Sequence, residues 1–175
     1  MTCNYRMANK SEIDTMLELR LEFIKDIHPE YDDIKMKEVS AGTYQYISEH
    51  IQKDMYVSFF GEINNYIVCS ASLLIYHYPP LFSAEYRKIG HVLNFYTRPS
   101  YRHKGYGNGL MTYIKQYAEE NNYYKLDLTA TKAGYPLYKK CDFIDSERIM
   151  EYEIKKECVW LPHVHHLMKL ELTLM

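Results

Sequence analysis

A chain of 175 residues, 47% hydrophobic and 25% charged, with a formal net charge of −2, has the composition of a globular domain and not of a disordered or membrane-embedded one. No apolar run reaches the ~20 residues of a membrane span, and the opening MTCNYRMANKSEID has no apolar signal-peptide core, so the expected location is cytoplasmic, with no membrane partner. The slightly acidic balance excludes a general nucleic-acid binder, which needs a basic surface to displace counterions. Cys3, Cys69, Cys141 and Cys158 are widely spaced without a Cys-x-x-Cys pair, a pattern of free thiols in a reducing compartment. Tyrosine, at 19 residues, is abundant enough that no single one is catalytic without a motif around it.

Tyr5 to Met7 reads as a short strand. In NKSE, Asn9 as N-cap and Glu12 three residues later have the spacing of a capping box. Ile13, Met16, Leu17, Leu21 and Ile24 then recur at helical spacing until Pro29. A second helix is predicted over residues 35–53, with Gly42 and Thr43 weakening its middle. MYVSFFG and YIVCSASLLIYHY are strand-like runs joined by the polar turn EINN. Pro79 and Pro80 end the second run and open a loop to about Lys88.

IGHVLNFYT is a third apolar strand, closed by Arg98 and Pro99. Leu110, Tyr113, Ile114 and Tyr117 predict a helix ending near EENN. KLDLTAT is a short strand, and YPLYKKC a short helix with Pro136 in its first turn. FIDSERIMEYEIKK supplies one or two final strands. Early hairpins and one late strand–helix–strand unit over residues 90–130 give a mixed α/β (α+β) fold.

The stretch RPSYRHKGYGNGL places Gly105, Gly107 and Gly109 behind Arg98, Arg102, His103 and Lys104, at the start of a helix. Unpaired N–H groups at a helix N-terminus, approached closely through glycine and flanked by cations, make an anion site suited to pyrophosphate. A dinucleotide fingerprint needs its glycines directly off a strand end. Here seven mostly polar residues, Arg98 to Lys104, intervene, so that reading falls, although Asp127 lies near the distance of its acidic residue.

RHKGYG resembles the Arg/Gln-x-x-Gly-x-Gly/Ala signature of the GNAT superfamily of N-acetyltransferases. The preceding NFYTRPSYR is similar to that family's fourth strand and its Pro-x-x-Arg connection, and LYKKCDF to its Leu-Tyr-x-x-x-Gly-Phe segment. Asp142 stands where the family has Gly, a residue type that tolerates left-handed backbone better than most. The resemblance runs from about Met7 to Lys155, implying an N-acetyltransferase domain over residues 1–155 with an extension over 156–175. It implies a mostly antiparallel sheet of six to seven strands flanked by about four helices, and acetyl-CoA as co-substrate with no metal.

It also implies the site. Backbone N–H groups of Phe95, Tyr96 and Thr97 would hold pantetheine and the acetyl carbonyl. Arg102, His103, Lys104, Gly105, Tyr106, Gly107 and Asn108 would hold the pyrophosphate, His103 mainly through its backbone. Tyr138 matches the family tyrosine near the thioester sulfur. An alkylammonium of pKa ~10.4 is neutral only about one part in 10³ at pH 7, so a base is needed. His91, near where some family members place a catalytic Glu, is the candidate, with ordered water as the other route. Glu22 and Tyr31 would line the acceptor pocket, on the side that the family's first two helices cover. Cys69 and Cys141 have no motif histidine and read as buried structural thiols.

The implied partner is the primary amine of a small molecule or peptide. A non-catalytic CoA-binding module with the same fold stays open at this point. In the extension, His163, His165 and His166 lack a fourth metal ligand at defined spacing. Leu170, Leu172 and Leu174 alternate as in a strand, which makes an extra strand or a homodimer contact an expectation for residues 157–175.

Overall fold

The structure, a computed structural model, describes residues 2–80 and 87–146 together with Tyr152. The expected final strands, apart from residues 143–146 and Tyr152, and the whole extension with its histidines lie outside the described residues. The chain divides into two compact units, Met1–Thr129 and Ala130–Met175.

In the first unit β1 (Asn4–Met7) is followed by two helices, α1 (Ile13–Ile27) and α2 (Asp33–Gln52). The Glu12 carboxylate accepts from the Asn9 N–H at 2.6 Å, which is half of the expected capping box. The Asn9 side chain accepts instead from Ser11 N–H at 3.0 Å, so regular helix begins four residues after Asn9, at Ile13. Asp32 caps α2 through the Lys35 N–H at 2.8 Å. Gly42 sits in the middle of α2, where a Cβ would meet nothing within 4 Å.

The hairpin β2 (Tyr56–Ile63) and β3 (Tyr66–Tyr78) turns through Asn64 and Asn65, at φ 50° and 61°. Two consecutive left-handed residues match the twist of the flanking strands, and asparagine tolerates them. Strand β4 (Arg87–Thr97) follows, then a 3-10 turn at Pro99–Tyr101, helix α3 (Tyr106–Glu120) and β5 (Lys125–Leu128). The sheet is five-stranded in the order β1-β2-β3-β4-β5. Pairing is antiparallel up to β4 and parallel between β4 and β5, as expected of a strand–helix–strand unit. Five strands among the described residues replace the expected six to seven, because the predicted final strands fall largely outside them.

The α1 and α2 face of the sheet holds a core of Ala8, Met16, Leu19, Ile47, Ile51, Tyr56 and Phe60, with Leu93 of β4 packed against it. Periodicity placed Met16 and Ile24 inside but missed Leu19 and Arg20, both buried. Helix α3 covers the opposite face, where Leu110, Met111 and Ile114 are fully enclosed and Tyr117 meets Phe59 edge-on at 4.9 Å.

Gly109, on the second turn of α3, is a contact point and not a hinge. A Cβ there would lie 2.1 Å from the Tyr5 hydroxyl and 2.5 Å from its ring. The same hydroxyl donates to the Tyr106 carbonyl at 3.2 Å, so the absent side chain lets β1 brace the start of α3. Gly109→Leu is expected to lower stability by about 1–3 kcal/mol through overpacking in urea unfolding. In a Tyr5→Ala background the same substitution is expected to cost less, because the clashing ring is gone.

Candidate active site

Strand β4 builds the site by an irregularity. Its register with β3 runs Ser72↔Leu93 and then Ser70↔Tyr96, so Asn94 and Phe95 together face Ala71. This is a β-bulge, and Asn94 takes the left-handed conformation it needs, at φ 55°. The Asn94 amide donates to the buried Tyr56 hydroxyl at 2.8 Å, which fixes the bulge to β2. The extra residue shifts the alternation of side chains. Leu93 faces the helices before it, and Tyr96 faces them after it, its ring 6.0 Å from Phe23 of α1.

On the other side, β5 pairs with β4 only from Ile89↔Lys125 to Val92↔Leu128. Phe95, Tyr96 and Thr97, the expected pantetheine contacts, therefore lie beyond the parallel pairing.

Thr97 leads into the basic turn. Arg98 is held by Glu22 at 2.7 and 2.9 Å and lies 4.4 Å over the Tyr66 ring. Arg102 donates through Nε to the Thr97 carbonyl at 2.9 Å and through Nη2 to Asp26 at 2.5 Å. The signature arginine thus ties the loop to the end of β4 and to α1. Lys104 donates to the Ser100 carbonyl at 2.8 Å. His103 (φ 60°) and Gly105 (φ 87°) are both left-handed and exposed, and Gly105 is the N-cap of α3.

Apart from its two chain neighbours, no atom of the described residues stands within 4 Å of a Cβ built on Gly105. The loop is open over the first N–H groups of a 15-residue helix, and this donor set fits a pyrophosphate. Tyr106 and Gly107 are half-buried in its first turn and Asn108 is exposed.

His91 lies two residues before Leu93, and so on the same face of β4. Its Nδ1 is 2.7 Å from Asp127 Oδ1 on β5. Tyr76 of β3 donates to Asp127 Oδ2 at 2.8 Å, and Lys125 approaches that oxygen at 3.0 Å. Burial pushes the Asp127 carboxyl up, but hydrogen bonds from His91, Lys125 and Tyr76 outweigh it and hold the group at about 2. Burial and the bond to Asp127 push the Tyr76 phenol up. Of the sequence-derived acceptor candidates, Glu22 is engaged by Arg98, and Tyr31 stacks on His28 at 4.5 Å. Cys3, Cys69 and Cys141 are free thiols, and burial pushes Cys69 up to about 12, which removes it as a nucleophile at neutral pH.

In the second unit α4 (Tyr135–Lys140) carries Pro136 in its first turn, as expected. Its end is a Schellman motif. Phe143 N–H bonds to the Tyr138 carbonyl at 3.0 Å and Asp142 N–H to that of Lys139 at 3.3 Å. Asp142 supplies the left-handed residue at φ 66°, doing the work of the expected glycine. The motif seats the Tyr138 ring edge-on against Phe143 at 5.9 Å.

The model of the acetyltransferase (GNAT) family matches residues 18–143 of this sequence. The chain belongs to the GNAT family. Glucosamine 6-phosphate N-acetyltransferase of Trypanosoma brucei brucei is 33% identical over 88 residues, half of this GNAT chain, which spans 58% of that relative's length. The crystal structure of a predicted acetyltransferase from Clostridium acetobutylicum with acetyl-CoA superposes with a TM-score of 0.73 at 26% identity, covering 87% of this chain and 96% of that one. Glucosamine-6-phosphate N-acetyltransferase from Arabidopsis thaliana shares the fold, with a TM-score of 0.62 at 17% identity over 89% and 100% of the two chains. Among the described residues, no helix is long and apolar enough to cross a membrane, and no three His, Cys, Asp or Glu side chains are grouped to hold a metal ion.

The low Asp127 carboxyl makes stability depend on acid. A carboxyl at about 2 when folded and ~3.9 when unfolded stabilises the fold above pH ~4, and that contribution is lost as pH falls towards 2. Urea unfolding of the wild type and Asp127→Asn is expected to show a stability difference at pH 6 that shrinks by pH 2.5. A difference independent of pH would contradict the charged network.

Proposed function

We propose that the chain is an acetyl-CoA-dependent N-acetyltransferase acting by direct attack of a small-molecule primary amine on the thioester. The observation that carries this reading is the junction of bulged β4 with the open glycine turn. Strand β4 leaves its parallel partner after Val92, and fourteen residues later the chain enters α3 at Tyr106. A coenzyme with a long arm and a pyrophosphate needs both, side by side.

Acetyl-CoA supplies the activated acyl group and a thiolate leaving group. The α3 N-terminus and the N–H groups of His103 to Asn108 bind the pyrophosphate, with Lys104 adding charge. Arg102 acts on the loop by bracing it against Thr97 and Asp26. N–H groups of the Phe95–Thr97 segment orient the arm and stabilise negative charge on the carbonyl oxygen. His91, as a neutral imidazole, takes the proton of the amine.

Tyr138 donates a hydrogen bond to the departing sulfur. With a phenol near 10 and a thiol near 8.5, full proton transfer is uphill by about 2 kcal/mol, so a hydrogen bond followed by reprotonation is the role assigned. The curated relative is named for glucosamine 6-phosphate, which makes an amino-sugar phosphate the first acceptor to test, ahead of polyamine and peptide amines.

Release of free CoA thiol in the presence of acetyl-CoA and a panel of amines tests the reading. Thiol release dependent on an amine is expected. Saturable acetyl-CoA binding with no release across the panel would make the chain a coenzyme-binding module instead. Tyr138→Phe is expected to lower kcat about tenfold while KM for acetyl-CoA stays within about twofold. Equal turnover in the two proteins would remove Tyr138 from the mechanism.

A further inference from the structure

We propose that Asp127 is a positioning residue for the reaction, a carboxylate that fixes the tautomer and direction of the His91 imidazole; this rests on the reading of His91 as the base. No sequence motif marks Asp127. It is brought to His91 by the parallel register His91↔Asp127 between β4 and β5, at the second-last pair before the two strands part company.

The chemistry follows from the donor inventory. An ionised carboxylate only accepts, so the 2.7 Å contact with Nδ1 requires a proton on that nitrogen. The lone pair of the neutral ring then lies on Nε2, the atom able to accept a proton from an amine.

A carboxylate can steer an imidazole only if it is itself fixed. Asp127 is held on its second oxygen by Tyr76 Oη at 2.8 Å and Lys125 Nζ at 3.0 Å, leaving Oδ1 for His91. The three contacts come from β3, β4 and β5, so the carboxylate is pinned across three strands. Tyr76 and Lys125 need not touch substrate to act here. They keep the carboxylate ionised and aimed, and the holding of Asp127 at about 2 agrees with that duty.

The charged and titratable groups bonded into the His91–Asp127 pair come from the two neighbouring strands. Strand β5 contributes Asp127 and Lys125, and β3 contributes Tyr76. On its own strand His91 is flanked on that face by the apolar Ile89 and Leu93, and α3 lies on the opposite face. Asp127 is the group among these whose negative charge contacts the ring.

The test has two arms. In the first, nitrogen-15 NMR of the wild-type chain reads the neutral tautomer of His91, identified by comparison with His91→Gln. A proton on Nδ1 is expected, and a proton on Nε2 overturns the proposal. In the second, kcat and kcat/KM for the amine are compared in the wild type and Asp127→Asn at saturating acetyl-CoA. The value of kcat is expected to fall about tenfold, with KM for acetyl-CoA within about twofold.

An unchanged kcat overturns the proposal. The tautomer is read in the unmodified protein, so a variant that fails to fold does not remove the test. Tyr76→Phe, which takes away one hydroxyl, is expected to give a smaller change in the same direction. If the wild type releases no CoA thiol with any amine, the reaction itself falls. If it turns over and Asp127→Asn matches it, the reaction stands and the positioning role falls.

Discussion

Between Leu93 and Tyr96, β4 carries two residues where β3 has one, and the arrangement of the site depends on that mismatch. Were the same residues paired without the bulge, strict alternation would turn Tyr96 away from α1. The bulge needs one left-handed residue, which Asn94 accepts at modest cost. It also needs an anchor, which is the hydrogen bond from the Asn94 amide to a hydroxyl buried with Ser58 and Ser72. Those two serines bond to each other at 2.8 Å, so the polar groups under the bulge are paired and not stranded in the core. The distortion is thereby held by a satisfied network, where an unpaired one would be costly.

A second constraint links the loop to α1. Arg98 and Arg102, either side of the 3-10 turn, both reach acidic residues on α1, Glu22 and Asp26. Arg98 is nearly enclosed, with 13% of its side chain exposed, so its pair is better shielded from solvent than an ordinary surface ion pair. The glycine turn itself is short of side chains and cannot hold its shape by packing. These charge-assisted bonds and the brace from Tyr5 to the Tyr106 carbonyl supply the rigidity that the glycines lack. Arg98 and Arg102 therefore act as scaffold for the turn, and in the proposed function the N–H groups of α3 are the anion donors.

The sequence made the local features readable because they depend on neighbouring residues. The hairpin asparagines, Pro136, the glycine turn and the stop at Pro29 each act over a few positions, and all appear where expected. Helix α1 also appears where its apolar spacing puts it, yet Leu19 and the buried Arg20 were missed, since burial of a charged side chain depends on what packs over it. The features left unread are those set by pairing between distant strands. His91 could be singled out by its place on β4, but its contact with Asp127 is fixed by the register of a parallel pair whose strands are joined through α3. Nothing in KLDL states that register. Likewise the Arg of RHKGYG carries no sign that Asp26, on α1, will claim part of its guanidinium. The substitution of Asp142 for glycine was legible, because the left-handed preference is a property of the residue itself.

In the proposed function, coenzyme binding falls on one continuous stretch of backbone, from the segment after the bulge to the first turn of α3. The most direct measurement is the set of backbone amide shifts in nitrogen-15-labelled protein titrated with acetyl-CoA. The largest changes are predicted at Tyr96, Thr97, His103, Lys104, Gly105, Tyr106 and Gly107, saturating together with a single affinity. Saturable binding that leaves these amides unmoved and shifts those of α2 or the β2–β3 hairpin would contradict it.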